Sequence, residues 1–249
     1  MTDRFISRRG LLAAAALAPS TVFAQNSLLE QGKNLLGQVP GSQGKGSSLS
    51  DGEIGSGLKE ALKVAAKRVV GQVGKTDGYN GDPAIRIPLP GPLQSIEGPL
   101  KGMGAGGMLD DLQLKMNRGA EQAAPKALDI FADAIGKMSI EDARGILNGP
   151  SDAATQYFKR TTTSSLTTAF RPIVDSALSS AGAVGAFKLV QDKASGIPFA
   201  GDEVKGFNLT DFTVGKALDG LFHYLASEEA SIRSNPAARS TDLLKKVFG

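Results

Sequence analysis

The sequence contains no cysteine, no tryptophan and a single histidine among its 249 residues. The absence of cysteine excludes disulfides, iron–sulfur clusters, thiolate zinc sites and cysteine nucleophiles. A single histidine excludes metal centres built from several histidines, and it leaves a Ser-His-Asp triad only one residue that could act as the base. We therefore expect a protein that works without a metal or another cofactor.

Aromatic residues are also scarce, at 6% of the chain. Beyond the N-terminal segment, no stretch approaches the ~18 unbroken apolar residues that a membrane helix needs, so we expect a soluble mature chain without a transmembrane span. The hydrophobic share of 41% is enough for a core, in one large domain or two small ones. No basic cluster indicates a nucleic-acid partner.

Residues 1–24 are typical of an export signal. A basic start that includes Arg8 and Arg9 precedes a short apolar run at residues 11–18, and we expect cleavage after Ala24. The letters around the arginine pair, SRRGLL, resemble a twin-arginine signal, and an ordinary Sec signal is the alternative. Both routes predict a periplasmic protein. Cleavage would remove three arginines and one aspartate from 28 basic and 25 acidic residues, so the mature chain would be almost neutral.

After the signal we predict a flexible segment, residues 25–49, and a single helical domain, residues 50–249. Residues 37–50 are rich in Gly, Ser and Gln, which is typical of a linker. The helix that follows has the clearest pattern. Its lysines Lys59, Lys63 and Lys67 are predicted to face solvent, and its apolar residues recur at helical spacing, at Ile54, Leu58, Ala61, Leu62, Ala65 and Val69.

The fold class is predicted to be mainly α, an irregular bundle of about seven helices. Pro125 is expected to start or kink the second part of its helix, and Pro172 to kink a longer one. Four prolines at residues 82–93 prevent a helix there, and the alternation at 84–89 allows at most a minor extended segment. Further helices are predicted at residues 108–138, 139–148 (capped by Ser139), 151–178, 183–193, 210–234 and 236–248.

Several apparent motifs lack the context that their function requires. The glycines at 102–107 match G-x-G-x-x-G, but no strand precedes them, so we interpret them as a joint between helices. His223 is predicted to lie opposite the apolar face of its helix, which disfavours catalysis. Asp129 and Asp133 lie one turn apart near lysines, as in a surface charge ladder.

Residues 161–168 carry seven hydroxyl groups in eight positions of a predicted helix. Threonine and serine are mediocre helix formers. These side chains could line a wet groove, bond back to the preceding turn, or mark a local break in the helix. The sequence leaves the three alternatives open.

Glu228 and Glu229 flank the apolar face of the 210–234 helix, where carboxylates need a partner or a solvated cavity. Arg233 follows Glu229 by one turn and is its expected ion-pair partner. Arg160 and Arg171, on the long helix at 151–178, are the expected partners for Glu228. These five residues are our candidate ligand-binding set, with a structural ion pair as the alternative.

Six segments carry a resemblance to a known family: IRIPLP at 85–90, MNR at 116–118, ILNGP at 146–150, AATQYF at 153–158, FRPI at 170–173 and NPAARSTDLLKKVFG at 235–249. They resemble segments of a bacterial envelope family catalogued as domain of unknown function 4197. The similarity covers most of residues 50–249, whereas residues 180–205 depart from the pattern in being richer in glycine. The resemblance implies an envelope location and a single domain, and it implies neither an activity nor catalytic residues.

Together these features favour an exported binding or interaction protein over an enzyme. We expect its partner to be an envelope protein or an apolar or amphipathic ligand held between helices. The alternative is a hydrolase of an envelope polymer that uses Glu228 or Glu229. Neighbouring carboxylates on a helix point about 100° apart, so such an enzyme would need a second acid from another helix.

Overall fold

The computed structural model describes residues 51–94, 97–102, 104, 106–180, 185, 187–188 and 207–234. The predicted export signal with Arg8, Arg9 and Ala24, the N-terminal segment 25–49 and the C-terminal segment 235–249 lie outside the described residues. Of the helix predicted at 183–193, only positions 185, 187 and 188 are described, and they are helical.

The described residues form eight α-helices and no strand, which confirms the mainly α prediction. Six of the eight helices have eight residues or more. A 3₁₀ turn, Ala124–Lys126, separates the fourth and fifth. The helices are α1 (Asp51–Val73), α2 (Gly91–Gln94), α3 (Glu97–Gly102), α4 (Gly106–Ala123), α5 (Ala127–Lys137), α6 (Ile140–Leu147), α7 (Ala153–Ser180) and α8 (Leu209–Ser234).

Helix α7 is the centre of the bundle, with α4 and α8 packed along it and α5 and α6 against its first half. Helix α1 covers α5, α6 and α8. Three phenylalanines from α5, α7 and α8 meet in the core, where the Phe131 ring centroid lies 4.8 Å from that of Phe158 and 6.5 Å from that of Phe222. Aromatic contacts of this kind add to the free energy gained from burying the rings.

The α1 pattern is confirmed at the residues whose side chains are described. Leu58, Ala61, Leu62, Ala65 and Val69 are all buried. On the other face, Lys63 and Lys67 are exposed, while the Lys59 ammonium reaches the carbonyl of Gly136 at the end of α5.

The effect predicted for Pro125 is confirmed, and the kink predicted at Pro172 stays a prediction. Pro125 lies in the 3₁₀ turn that separates α4 from α5. Pro172 lies inside α7, which continues through it as one helix. The prediction that residues 82–93 contain no helix is wrong at its end, because the short helix α2 begins at Gly91, just after Pro90. Proline is compatible with the first turn of a helix, where its missing N–H would have no partner.

Residues 84–89 do not form a strand. Ile85, Ile87 and Leu89 are buried, while Arg86 and Pro88 between them are exposed. The segment therefore keeps the predicted alternation, but its backbone is held by side chains of α4.

The glycines at 102–107 join two helices, as expected from the missing strand. Helix α3 ends at Gly102 and α4 begins at Gly106. Gly104 between them has φ of 79°, a left-handed conformation that glycine adopts without strain.

Candidate functional site

A broad concave surface lies between α5, α6 and the first half of α7. It consists of two adjoining cavities of about 420 and 430 Å³, which share Asp142, Tyr157 and Arg160. Ligand pockets occupy about 300–1,000 Å³, so either cavity could hold a small molecule. We call this surface the Arg160 groove, and its charged lining consists of Asp133, Lys137, Glu141, Asp142 and Arg160.

Tyr157 positions Arg160 in the groove. The Tyr157 ring is buried, and its hydroxyl donates to the carbonyl of Ala134 over 2.9 Å, which fixes the ring between α5 and α7. The guanidinium carbon of Arg160 lies 5.6 Å from the centroid of this ring, within the range of a cation–π contact.

The donors of Arg160 are unused by the described residues. Its nearest carboxylate oxygen, Oδ1 of Asp142, is 3.7 Å away, which is too long for a hydrogen bond. The arginine side chain is 67% exposed. By contrast, Arg68, Arg118 and Arg233 each approach a carboxylate to within 2.7–3.0 Å. Arg160 is therefore held by an aromatic ring, and it lines both cavities without a hydrogen bond to the described residues.

Asp142 has a structural role that leaves its Oδ1 without a hydrogen bond, 3.7 Å from Nη2 of Arg160. Its Oδ2 accepts from the backbone N–H and the hydroxyl of Ser139, while the Asp142 N–H donates to the Ser139 Oγ. This is a complete capping box at the start of α6, as the sequence predicts. The hydrogen bonds from Ser139, with a smaller contribution from Arg160, hold the pKa of Asp142 below its ordinary value.

The far wall of the groove combines an ion pair with part of the hydroxyl-rich stretch. Lys137 contacts Asp133 over 2.6 Å on α5, as the predicted charge ladder requires. Thr161 and Thr162 line the same cavity. Their hydroxyls donate to carbonyls four residues back, as do those of other threonines of this stretch, and α7 has no break here. Two of the three alternatives thus hold together, because these residues back-bond and also line a groove.

Glu229 lies elsewhere, at the junction of α6, α7 and α8. Its two oxygens accept the backbone N–H groups of Ala154 and Thr155, both over 2.9 Å, and the Thr155 hydroxyl over 3.0 Å. These N–H groups belong to the first turn of α7, so Glu229 caps that helix from another one. Arg233 pairs with Glu229 over 3.0 Å, as predicted, and donates to the carbonyl of Ile146 over 2.6 Å near the end of α6.

The prediction that Arg160 or Arg171 pairs with Glu228 is wrong. Glu228 pairs with Arg68 of α1 over 2.7 Å. Arg160 lies beside Asp142, and Arg171 pairs with Asp211 near the start of α8. The sequence pattern of α8 shows which face Glu228 lies on, but not that α1 rather than α7 packs beside that face. The five candidate residues are therefore divided among four places, and only Glu229 and Arg233 contact each other.

An apolar crevice between α1 and α8 ends at the Glu229–Arg233 pair. Leu58, Ala61, Ala65 and Ile232 contribute to its walls. Its volume of about 20 Å³ is close to what one water molecule needs. The crevice therefore has too little room for the apolar ligand that we expected between the helices.

His223 is exposed on α8, as predicted, and its ring meets the neighbouring Tyr224 edge to face. Asp219, one turn earlier, pairs with Lys216 and not with the histidine. Asp129 is likewise exposed. These residues have the surface positions that the sequence indicates.

The sequence analysis missed a second buried carboxylate, Glu121. Its Oε1 accepts the backbone N–H groups of Tyr79 and Asn80, and its Oε2 accepts from Arg118 over 2.7 Å. Arg118 also bonds Asp77, which has φ of 63° at the start of this loop. A signal was available, because Glu121 lies beside Ala120 and Ala123, which continue the apolar side of α4.

Tyr79 is the buried end of the same loop. Its hydroxyl donates to the carbonyl of Ala217 over 2.6 Å, and burial, together with the charge of Glu121, raises the pKa of this phenol far above its ordinary value. Helix α8 has Gly220 at this contact, where a Cβ would lie 2.7 Å from Cε1 of Tyr79. Glu121 and Tyr79 thus fix the loop against α4 and α8.

Within the described ranges, no group of three or more His, Asp or Glu side chains is arranged to hold a metal ion. A search of the same residues finds no helix with the length and hydropathy needed to cross a bilayer.

Comparison with known proteins identifies a family. Residues 48–249 match the family described as "Protein of unknown function (DUF4197)". The match spans most of the chain, and the protein belongs to this family. No curated protein and no solved structure gives a significant match.

Proposed function

We propose that this member of the DUF4197 family is an exported, non-enzymatic binding protein of the bacterial envelope that holds its ligand in the Arg160 groove. One observation carries the proposal. Two cavities of about 420 and 430 Å³ meet at Arg160, whose guanidinium lies on a fixed ring and makes no hydrogen bond to the described residues. An arginine with unused donors in a concave surface is suited to bind a ligand.

The geometry favours binding over the alternative hydrolase. Both oxygens of Glu229 accept hydrogen bonds from Ala154, Thr155 and Arg233. Glu228 is held by Arg68. A general acid or base must have an oxygen that reaches the substrate proton, and the fixed contacts of Glu229 leave it none.

The proposed envelope location rests on the N-terminal sequence pattern. If the twin-arginine reading is correct, the combined change Arg8→Lys and Arg9→Lys will leave unprocessed precursor in the cytoplasm. Fractionation and immunoblotting measure this directly. Normal processing of the variant would indicate a Sec signal, and an unprocessed wild-type chain in the cytoplasm would overturn the envelope proposal.

Native mass spectrometry of protein purified from the periplasm tests the binding proposal. We expect a co-purified mass on the wild-type protein that is lost in Arg160→Gln. Arg171→Gln is the matched control, because Arg171 is also an exposed arginine of α7 but pairs with Asp211, away from the groove. A co-purified mass that persists in Arg160→Gln, or its absence from the wild-type protein, would contradict the proposed site.

A further inference from the structure

We infer that the Arg160 groove binds a peptide-like zwitterion, with the ligand carboxylate on Arg160 and its ammonium group on Glu141 and Asp142. This inference rests on the proposed function and adds the chemical class of the ligand. It places the ligand in the 420 Å³ cavity between α6 and α7, which all three residues line.

We infer the carboxylate of the ligand from Arg160, whose guanidinium makes no hydrogen bond to the described residues. A guanidinium presents its N–H groups as a planar fork, which matches the two oxygens of a carboxylate. The cation–π contact with Tyr157 restricts the position of the guanidinium. Little entropy is then lost on binding, because the arginine is already positioned before the ligand arrives.

The ammonium follows from the two carboxylates beside the arginine. Oδ1 of Asp142 accepts no hydrogen bond, since both contacts from Ser139 go to Oδ2. Glu141 is exposed and has no hydrogen bond or ion pair within the described chain. An ammonium group supplies the three donors that two such acceptors can receive.

The charge of the groove disfavours the other ligand classes. Its lining has three carboxylates, those of Asp133, Glu141 and Asp142, and two cations, Lys137 and Arg160. A phosphate or another polyanion would be repelled by the carboxylates. A purely cationic ligand would leave the donors of Arg160 unused. A zwitterion offers an ammonium group to the carboxylates and a carboxylate to Arg160, and it brings no net charge into the groove.

The apolar part of the cavity indicates short side chains. Ile146, Pro150 and Ala153 line it beside the charged residues. Alanyl-alanine therefore combines the expected charges with side chains that suit this wall, and it is the probe that we choose.

The test is isothermal titration calorimetry of the mature chain, residues 25–249, with three matched probes at concentrations up to ~10 mM. The probes are alanyl-alanine, its C-terminal amide and its N-acetyl form. We expect alanyl-alanine to bind, and each blocked form to bind at least about tenfold more weakly, because each has lost one of the two charged contacts.

Variants assign the contacts to residues. Arg160→Gln is expected to lower the affinity for alanyl-alanine at least about tenfold, and the double variant Glu141→Gln, Asp142→Asn by a similar factor. Arg171→Gln is the control and should bind as the wild type does. Near-ultraviolet circular dichroism checks that each variant keeps the native packing.

These experiments distinguish a failure of the zwitterion inference from a failure of the proposed binding function. Equal binding of the amide, or no binding of alanyl-alanine, would overturn the zwitterion. The proposal that the Arg160 groove binds a ligand would still hold if native mass spectrometry shows a co-purified mass that is lost in Arg160→Gln. Binding of both D,D and L,L alanyl-alanine supports the class, and the tighter stereoisomer indicates whether wall peptides or ordinary peptides are its source.

Discussion

The side-chain amide of Asn117 pairs with the backbone of Ile87 in both directions. Asn117 Oδ1 accepts the Ile87 N–H over 2.8 Å, and its Nδ2 donates to the Ile87 carbonyl over 3.0 Å. Asn117 and Ile87 are both fully buried, so the Ile87 backbone has no hydrogen bonds to water. The two bonds from Asn117 replace them. A side chain of α4 thus takes the place of a neighbouring strand.

Removing the Asn117 amide should lower the free energy of unfolding more than removing the amide of Gln113. Asn117→Leu keeps the approximate volume but leaves the Ile87 N–H and carbonyl buried with fewer partners, so we expect a loss of ~2–4 kcal/mol in the free energy of unfolding. Gln113→Leu is the control, because Gln113 is only partly buried and donates to the same carbonyl over 3.2 Å. Urea denaturation measures both, and equal losses would contradict this role of Asn117.

Glu229 and Glu228 are adjacent in sequence but should differ in their effect on stability. Glu229→Leu leaves two N–H groups of α7 without their acceptor and removes the carboxylate that pairs with Arg233, and we expect a loss of ~3–5 kcal/mol. Glu228→Leu breaks a partly exposed pair with Arg68 and should cost ~1 kcal/mol or less. Urea denaturation of the two variants separates these values. A cost for Glu228→Leu that matches that of Glu229→Leu would refute the distinction.

Asp142 should make the stability of the protein depend on acid pH. Because the folded state lowers the pKa of Asp142, its contribution to stability is present above the unfolded pKa of about 3.9 and is lost as the pH falls through the folded value. Asp142→Asn should therefore lose less stability than the wild type between pH 6 and roughly pH 3. Chemical denaturation across this range measures the slope. Asp129→Asn, at an exposed residue without a partner within the described chain, should follow the wild type.

The C-terminal segment lies outside the described residues, and its apolar stripe leads to a prediction of its own. Leu243, Leu244, Val247 and Phe248 recur at helical spacing. If they pack on the domain, burial of each large side chain contributes ~1.5–3 kcal/mol, and deletion of residues 236–249 should lower the Tm by at least ~5 °C. Differential scanning calorimetry measures this, and an unchanged Tm would instead indicate a free recognition segment.

Local patterns predicted much of the fold. The spacing of Leu58, Leu62 and Val69 gave the buried face of α1, and Ser139 gave the start of α6. The sequence also identified the Glu229–Arg233 pair, because the two residues lie one turn apart on one helix.

The groove could not be predicted in the same way. Tyr157 and Arg160 lie three residues apart on α7, but Asp142 joins them only because α6 packs against α7. Helical periodicity contains no information about which helix faces which. The same limit explains the error at Glu228, whose partner Arg68 lies 160 residues away in sequence.

Hydrogen exchange measured by mass spectrometry tests the central claim, that the Arg160 groove holds a ligand, without knowledge of the ligand. Wild type, Arg160→Gln and Arg171→Gln are purified in parallel from the periplasm and compared. We predict slower exchange in wild type and Arg171→Gln than in Arg160→Gln, confined to peptides covering residues 137–165, because a bound ligand stabilises the segments that it contacts. Equal exchange of these peptides in all three proteins would contradict the claim.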